Sequence, residues 1–219
     1  MKENDLLSAV RRRKWSDEVY LKRREMKANV PADLIKRDFF ALEPRKRMLE
    51  DITYLPGLER TMYLNTIEDL YNGEILAYCI SDSPNAKLCA DTIELLCSNW
   101  GECFRGSIIH NDLGSSYVSY EYNEAIQRHG IIQSIGRVAT CYDNAPMESL
   151  NGIIKTEALY CRFGKTKVKE KRVPIAEILE EVINFISFYN NERPKTTNSG
   201  MSPVQFRLQN PRGTYLMPI

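Results

Sequence analysis

The distribution of apolar residues from position 51 onward predicts three consecutive strands. β-Branched and aromatic residues are concentrated in the segments DITYL, RTMYLNTIEDL and EILAYCIS, a composition typical of strands. The first segment ends at Pro56-Gly57, and Asn72-Gly73 before the third is a strong hairpin signal. We therefore expect a three-stranded antiparallel meander.

The rest of the pattern alternates helices with short apolar strands. In chain order it predicts a helix from Pro84 to about Cys97, the strand GSIIH, a helix closed by Gly130, the strand IIQSI, a helix that begins near Asp143 and the long helix IAEILEEVINFISFYNNE. Three antiparallel strands followed by two strands that are reached through helices predict an α/β protein. Its fold would be a mixed five-stranded sheet, three strands antiparallel and two parallel, flanked by helices.

The segment YDNAPMESLNGIIKTE predicts the third helix through its capping residues and its apolar stripe. Asp143 or Asn144 is expected to cap the N-terminus, and Pro146 fits the first turn, where its missing N–H costs nothing. The stripe recurs at steps of three and four residues: Met147, Leu150, Ile154 and Ala158.

The opposite side of this helix is unusual for a surface. Glu148 and Lys155 lie seven residues apart, about two turns, so they point almost the same way. Asn151 and Gly152 lie between them on that side. A solvated surface helix with a chance glycine would give the same pattern, so the helix alone does not assign a function.

Length and composition are those of a globular protein without a membrane segment. The chain has 219 residues, 43% of them hydrophobic, enough for one substantial domain with extensions or for two small domains. No apolar run approaches the length of a membrane span, and the N-terminus lacks an apolar signal region. The six cysteines form no CxxC pair and there are two histidines, so a structural zinc site is not expected. We expect a cytoplasmic protein that does not bind membranes.

The net charge of +1 conceals a strong segregation of charge along the chain. Residues 1–47 carry a net charge of +6, residues 48–154 one of −10 and residues 155–219 one of +5. An acidic centre between basic flanks suits a protein that collects cations at its core and meets an anionic polymer with its flanks. Basic runs that are merely solvated would look the same.

Two aspartates and Glu148 are expected to meet at one edge of the sheet. Asp51 lies on the first predicted strand and Asp112 at the end of the fourth. The right-handed crossover rule places these strands side by side and parallel, and ligands collect at the carboxyl ends of parallel strands. Carboxylates without histidine or cysteine are hard ligands for Mg²⁺ or Mn²⁺. Two such ions about 3.5–4 Å apart could activate a water or a 3′-hydroxyl for phosphoryl transfer.

Segments along most of the chain match those of a known family. They run in order from about residue 34 to residue 207: EDITYL, MYLNTIEDLYNGEILAY, IIHNDLGSSYVS, GIIQSIGR, YDNAPMESLNGIIKTE and FYNNERP…MSPVQF. In these segments the chain resembles the catalytic proteins of bacterial insertion-sequence transposases of the IS-three family, whose core is similar to retroviral integrase. There are departures, since Met48 stands where relatives often have tryptophan and Leu113 where an arginine is usual.

The resemblance implies an RNase H-like fold and DNA strand cleavage and joining at the ends of a mobile element. Asp51, Asp112 and Glu148 fall on the family's catalytic acidic triad, which would bind two Mg²⁺ or Mn²⁺ ions. Lys155 falls on the basic residue that the family places seven positions after the glutamate. The residue pattern and the resemblance together predict three parts: a basic, mainly helical N-terminal region at 1–47, an integrase-like catalytic core at 48–207 and a C-terminal tail at 208–219.

DNA is the partner that the resemblance implies, both as transposon ends and as target. Contacts to the DNA backbone are expected from five cations after the third helix: Lys165, Lys167, Lys169, Lys171 and Arg172. The chain shows no complete helix-turn-helix region, so a partner or a fused upstream reading frame would supply end recognition. We expect a homo-oligomer that forms on DNA and thereby associates with the nucleoid.

Two other functions fit the same residues. An RNase H- or Holliday-junction-type nuclease would share the fold and the metals but would only cut, so joining to a DNA 3′-hydroxyl separates it from a transposase. An inactive transposon remnant or a DNA-binding regulator would need no metal site. The intact Asp51, Asp112 and Glu148 argue against that last interpretation.

Overall fold

A five-stranded mixed sheet forms the centre of the protein. The structure, a computed structural model, describes residues 30–136 and 144–210. Its strands are β1 (Arg47–Pro56), β2 (Thr61–Asp69), β3 (Ile75–Ser81), β4 (Ile108–Asn111) and β5 (Ile132–Ile135). They lie in the order β3-β2-β1-β4-β5; β2 is antiparallel to both β1 and β3, and β4 is parallel to both β1 and β5. The predicted α/β fold with three antiparallel strands and two parallel strands is confirmed.

The four predicted helices occur in the predicted order, and the described residues also form three short helices that the sequence pattern does not predict. Their bounds are α1 (Ala86–Trp100), α2 (Tyr120–Arg128), α3 (Ala145–Ile153), α4 (Cys161–Phe163), α5 (Lys165–Lys169), α6 (Ile175–Asn191) and α7 (Pro203–Gln209), with short 3₁₀ turns at Gly101–Phe104 and Thr196–Asn198. α1 begins after an Asn85 cap and α2 after a Ser119 cap. These side chains accept hydrogen bonds from N–H groups that the start of a helix leaves unpaired.

α3 continues without a break into a π-helical segment, Ile154–Tyr160, a feature found often at functional sites. The predicted stripe is buried at all four positions: Met147, Leu150, Ile154 and Ala158. The helix and its buried side are thus confirmed. Asn144 lies at the N-cap position, but its side chain makes no capping hydrogen bond, so it does not cap the helix as predicted. Asp143, the other predicted cap, lies outside the described residues.

Two hydrophobic cores lie on opposite faces of the sheet. Leu49 of β1 packs with α3 and α6, on what we call the front face. Met48 of β1 and Ile109 of β4 pack with α1 and α2, on the back face. Because successive side chains of a strand point to opposite sides, Glu50 belongs to the back face and Asp51 to the front face.

The C-terminal segment contacts the β2–β3 hairpin through buried carboxylates. Arg207 of α7 donates to Glu74 from Nε at 2.7 Å and from Nη2 at 3.1 Å. Lys195 Nζ lies 3.7 Å from Oε1 of Glu68. Gly73 in the hairpin turn has a φ of 71°, and a Cβ there would lie 1.8 Å from Lys195 Nζ. The left-handed backbone at this position favours glycine, and the antiparallel pairing of β2 with β3 confirms the predicted hairpin.

Residues 30–46 form turns and bends beside the sheet. Ile35 is buried, and Leu34 N donates to Ser134 Oγ of β5 at 2.8 Å. Most of the predicted N-terminal region and tail lies outside the described residues, so their boundaries stay predictions. In the described part of the chain no helix is long and apolar enough to cross a membrane.

Candidate active site

Asp51 on β1 lies level with Asp112, which directly follows the adjacent parallel strand β4. β1 and β4 pair in the register Leu49↔His110. Asp51 lies two residues beyond Leu49, and Asp112 lies two residues beyond His110, directly after β4. Both side chains therefore point to the front face. The predicted pairing of these strands is confirmed, and it brings the two carboxylates to one edge of the sheet.

Burial and the proximity of other carboxylates shift the pKa values of Asp51 and Asp112. The pKa of Asp51 is raised to about 7, first by burial and then by the negative charges of Asp112 and Glu148, against the attraction of Lys155. Burial also raises the pKa of Asp112, while a hydrogen bond from the Gly114 N–H opposes that shift. A divalent cation would relieve the repulsion, because carboxyls that share a site do not all ionise without one.

α3 brings Glu148 and Asn151 toward Asp51 at the front face. Glu148 lies in the first turn of α3, is exposed, and places a negative charge near Asp51. One turn later, Asn151 Nδ2 donates to Asp51 Oδ2 at 2.8 Å, and Asn151 is only 7% exposed. The sequence places Asn151 on this side of the helix without a role for it. Its spacing of three residues from Glu148 is the signal that could have found it.

The residues around Asp51 suit a hard divalent cation. Their donors are all oxygens, because Asp51, Asp112 and Glu148 supply carboxylates. Asn151 Oδ1 beside them is a buried atom without a hydrogen-bond partner. Such oxygen sets favour Mg²⁺ or Mn²⁺ over zinc. Within residues 30–136 and 144–210, no three histidine, cysteine, aspartate or glutamate side chains already form a metal-binding group, so the three carboxylates share a face without a preformed cluster.

Lys155 lies beside the carboxylates, on the first turn of the π-helical segment. Its Nζ lies 4.0 Å from the centre of the Tyr54 ring, which is a cation–π contact that sequence reasoning missed. Burial lowers the pKa of Lys155, and the charge of Asp51 opposes that shift. Gly152 is exposed, and a Cβ there would meet nothing within 4 Å. The packing of the protein therefore does not itself require glycine at this position.

The predicted basic stretch lies on α5 and on the turn that follows it. All five of its cations are exposed: Lys165, Lys167, Lys169, Lys171 and Arg172. Lys171 Nζ donates to Thr61 Oγ1 at 3.0 Å. Arg172 Nη2 lies 2.7 Å from Glu170 Oε2. Because these two side chains have partners within the chain, the three lysines of α5 are the part of the stretch best placed to meet an external anion.

A buried polar network lies directly behind the aspartates, on the back face. Glu50 is fully buried, and this burial raises its pKa to about 7. It accepts hydrogen bonds from Asn65, Asn111 and Tyr122. A glutamate in a strand is ordinarily exposed, so the sequence carries no signal for this network.

The fold and the site together define the catalytic core of an integrase-type protein. Asp51 lies within β1, Asp112 directly follows the adjacent parallel strand β4, and Glu148 lies on the helix that covers them. Family models described as integrase core domain match residues 41–141 and residues 148–210. The chain is also 34% identical over 184 residues to an uncharacterized transposase-like protein of Haemophilus influenzae, a match that covers 83% of this chain and 79% of that protein.

The particular family follows from a second relative. The chain is 31% identical over 184 residues to the transposase for insertion sequence IS3A of Escherichia coli strain K12, which covers 83% of this chain. The chain belongs to the IS3-type insertion-sequence transposases, and the predicted family is confirmed. It spans 60% of the length of that Escherichia coli relative.

A solved structure shows the same fold. The HTLV-2 integrase catalytic core domain in complex with magnesium, in its trimeric form, matches with a TM-score of 0.57 and 17% sequence identity. The match covers 76% of this chain and 98% of that one. The predicted RNase H-like fold is therefore confirmed.

Proposed function

We propose that this chain catalyses metal-dependent DNA strand cleavage and strand transfer at the ends of a bacterial insertion sequence. One observation carries the proposal: Asp51 on β1 lies level with Asp112, which directly follows the parallel neighbour β4, and α3 brings Glu148 to the same face. Membership of the transposase family supports the same function.

The three carboxylates would bind Mg²⁺ or Mn²⁺, with two ions in the active complex. The oxygen-only donor set supports this choice, as does the magnesium named with the HTLV-2 integrase core. When bound, the metal would activate the attacking oxygen and stabilise the leaving oxygen of the phosphoryl transfer. Asn151 orients Asp51 through its hydrogen bond. Glu148, which lies on a helix rather than a strand, completes the set.

Lys155 would contact a DNA phosphate next to these carboxylates. Its ammonium lies over Tyr54 and near Asp51, and an ammonium is a compact charge that binds phosphate well. Gly152 leaves open space on the same side of the helix. The DNA backbone could therefore approach closely between Glu148 and Lys155.

The cations of the basic stretch would contact the DNA backbone rather than read bases. They are Lys165, Lys167, Lys169, Lys171 and Arg172, and no aromatic residue lies among them for base stacking. End recognition would come from a helix-turn-helix partner or a fused upstream region. The chain would act as a homo-oligomer on DNA, which the trimeric form named for the HTLV-2 core supports.

The test is a strand-transfer assay with the full chain, any required partner, Mg²⁺ and a labelled duplex that ends in the terminal repeat of the element. The wild-type chain should cut and join. Asp112→Asn keeps the size of the side chain but removes its charge, so it should bind DNA and lose both steps, since both use the same carboxylates. Joining by Asp112→Asn at the wild-type rate would contradict the proposal. Cutting without joining by the wild type would favour a nuclease.

A further inference from the structure

Glu50 is a fully buried carboxyl that the reaction does not use. It lies on the back face of β1 and is 0% exposed. Asn65 Nδ2 donates to its Oε1 at 2.6 Å, and Asn111 Nδ2 donates to its Oε2 at 2.9 Å. The Tyr122 hydroxyl also donates to Oε2. All three donors are neutral, and burying a carboxyl among neutral groups is costly, so its presence calls for an explanation.

The hydrogen bond between Glu50 and Asn111, which we call the bridge, lies beside the two aspartates along the same strands. Glu50 directly precedes Asp51 on β1, and Asn111 directly precedes Asp112 at the end of β4. Because successive side chains alternate between faces, the Glu50–Asn111 hydrogen bond lies on the back face, one residue before the carboxylate pair on the front face. Any change in the separation of the two strands at Glu50 and Asn111 would be transmitted to Asp51 and Asp112.

The bridge connects β1 and β4 where their backbone pairing ends. The paired residues of β1 and β4 run from Arg47↔Ile108 to Leu49↔His110, and β4 ends at Asn111. Asp51 and Asp112 lie beyond this pairing, and their carboxylates repel each other when both are ionised. The side chain of Glu50 also reaches Asn65 on β2 and Tyr122 on α2. It therefore connects β4 to the centre of the sheet and to the helix behind it.

We propose that Glu50 is a positioning residue that, through its hydrogen bond to Asn111, sets the separation of Asp51 and Asp112 for divalent-cation binding. This inference rests on the proposed function, because it takes those two aspartates as the cation ligands. Residues behind a metal site orient the ligands, and their loss commonly weakens metal binding about 10- to 100-fold.

The experiment measures Mn²⁺ binding to the full chain without DNA, from the electron paramagnetic resonance signal of free Mn²⁺. Glu50→Gln keeps the side-chain shape but replaces one of the two acceptor oxygens by an NH₂ group, so the side chain can no longer accept from Asn65 and from Asn111 together, and the connection between the strands is weakened without a cavity. Its Kd for Mn²⁺ should rise about tenfold or more, with circular dichroism unchanged. Glu74→Gln is the matched control, since Glu74 is an equally buried carboxylate that pairs with Arg207 away from β4. It should lower Tm and keep the wild-type Kd.

The outcomes separate this inference from the proposed function. Suppose that the wild type binds Mn²⁺, that Asp112→Asn does not, and that folded Glu50→Gln binds Mn²⁺ as tightly as the wild type. This result would overturn the role of Glu50 and leave the proposed function standing. Equal losses in Glu50→Gln and Glu74→Gln would also overturn the role of Glu50, because they would show a general effect of stability. If Glu50→Gln does not fold, the same measurement is made on Asn111→Ala. Weaker Mn²⁺ binding by this variant would support the role of the bridge, and unchanged Mn²⁺ binding would overturn it. Absence of Mn²⁺ binding in the wild type would overturn both proposals.

Discussion

Asn151 donates a hydrogen bond from its side-chain amide to Asp51 Oδ2 at 2.8 Å, between residues that are 100 positions apart in the chain. The bond joins α3 to β1 at the front face. The helix that carries Glu148 is thereby connected to the strand that carries Asp51. The orientation of the Asp51 carboxylate consequently depends on a residue of the helix as well as on its own strand.

Asn151→Ala should slow strand transfer about tenfold, because Asp51 loses the donor that orients it. Stability should change by no more than about 1 kcal/mol, since the substitution removes a hydrogen bond but also a buried Asn151 Oδ1 that has no partner. Single-turnover joining and thermal unfolding measure the two effects. Asn144→Ala on the same helix is the control, because that side chain also has an unpaired buried oxygen and makes no capping bond. Equal joining rates for the two variants would contradict the role of Asn151.

Tyr54→Ala should weaken binding of the terminal-repeat duplex about two- to fivefold, as expected from the loss of a cation–π contact of about 0.5–1 kcal/mol. The reason is that Lys155 Nζ lies 4.0 Å from the Tyr54 ring centre and would lose its fixed position. Tyr54→Phe retains the ring and should bind like the wild type. Affinities are measured by fluorescence anisotropy at one fixed salt concentration.

A double-mutant cycle tests whether Tyr54 acts through Lys155. In a Lys155→Ala background, Tyr54→Ala should have no further effect on DNA affinity, because the contact is already absent. An effect of the same size in both backgrounds would show that Tyr54 contacts DNA by itself.

Replacing Lys165, Lys167 and Lys169 together by alanine should flatten the salt dependence of DNA binding. Each phosphate contact contributes about 0.9 to the slope of log K against log salt, so the slope should fall by up to about 3. The change should be the same for terminal-repeat and unrelated duplexes, since backbone contacts carry no sequence information. Lys87→Ala and Arg128→Ala, on the back-face helices, are the controls and should leave the slope unchanged. Loss of affinity for a single sequence would count against backbone contact.

The metal-free protein should lose stability as pH rises from about 4 to about 7. The pKa of Asp51 is about 7 in the folded protein against an ordinary value of 3.8, so in this window the unfolded chain binds fewer protons and unfolding is favoured as pH increases. Asp51→Asn removes the contribution of Asp51, while buried carboxyls such as Glu50, whose pKa is also raised to about 7, contribute equally to both proteins. The variant should match the wild type near pH 4 and exceed its free energy of unfolding by roughly 1–4 kcal/mol above pH 7.

Urea unfolding in the presence of a chelator, at a series of pH values, measures this difference. Asp91→Asn on the exposed surface of α1 is the control and should show no gain that grows with pH. Adding Mg²⁺ at pH 8 should stabilise the wild type and leave Asp51→Asn unchanged, because only the wild type has a complete set of carboxylates. A stability difference that is independent of pH would contradict the assignment to Asp51.

The sequence by itself determines the order of elements and the neighbourhood of the two aspartates. The meander follows from the β-branched and aromatic composition of its segments and from the turn at Asn72-Gly73, which are local properties of the chain. The crossover rule then places β4 beside β1, so Asp51 and Asp112 meet at one edge. Three- and four-residue spacing also suffices to predict which side of α3 is buried and that Glu148 lies on the other side.

Only the tertiary structure decides which atoms meet. Glu50 has the pattern of an exposed strand residue, yet α1 and α2 bury the back face, where Glu50 contacts Asn111, 61 positions away. The contact of Lys155 with Tyr54 depends likewise on where α3 and its π-helical segment cross the sheet. Periodicity specifies which side of an element is buried, because it reflects the geometry of that element alone. The partner on that side is set by the packing of elements that are distant in the chain, which no local pattern encodes.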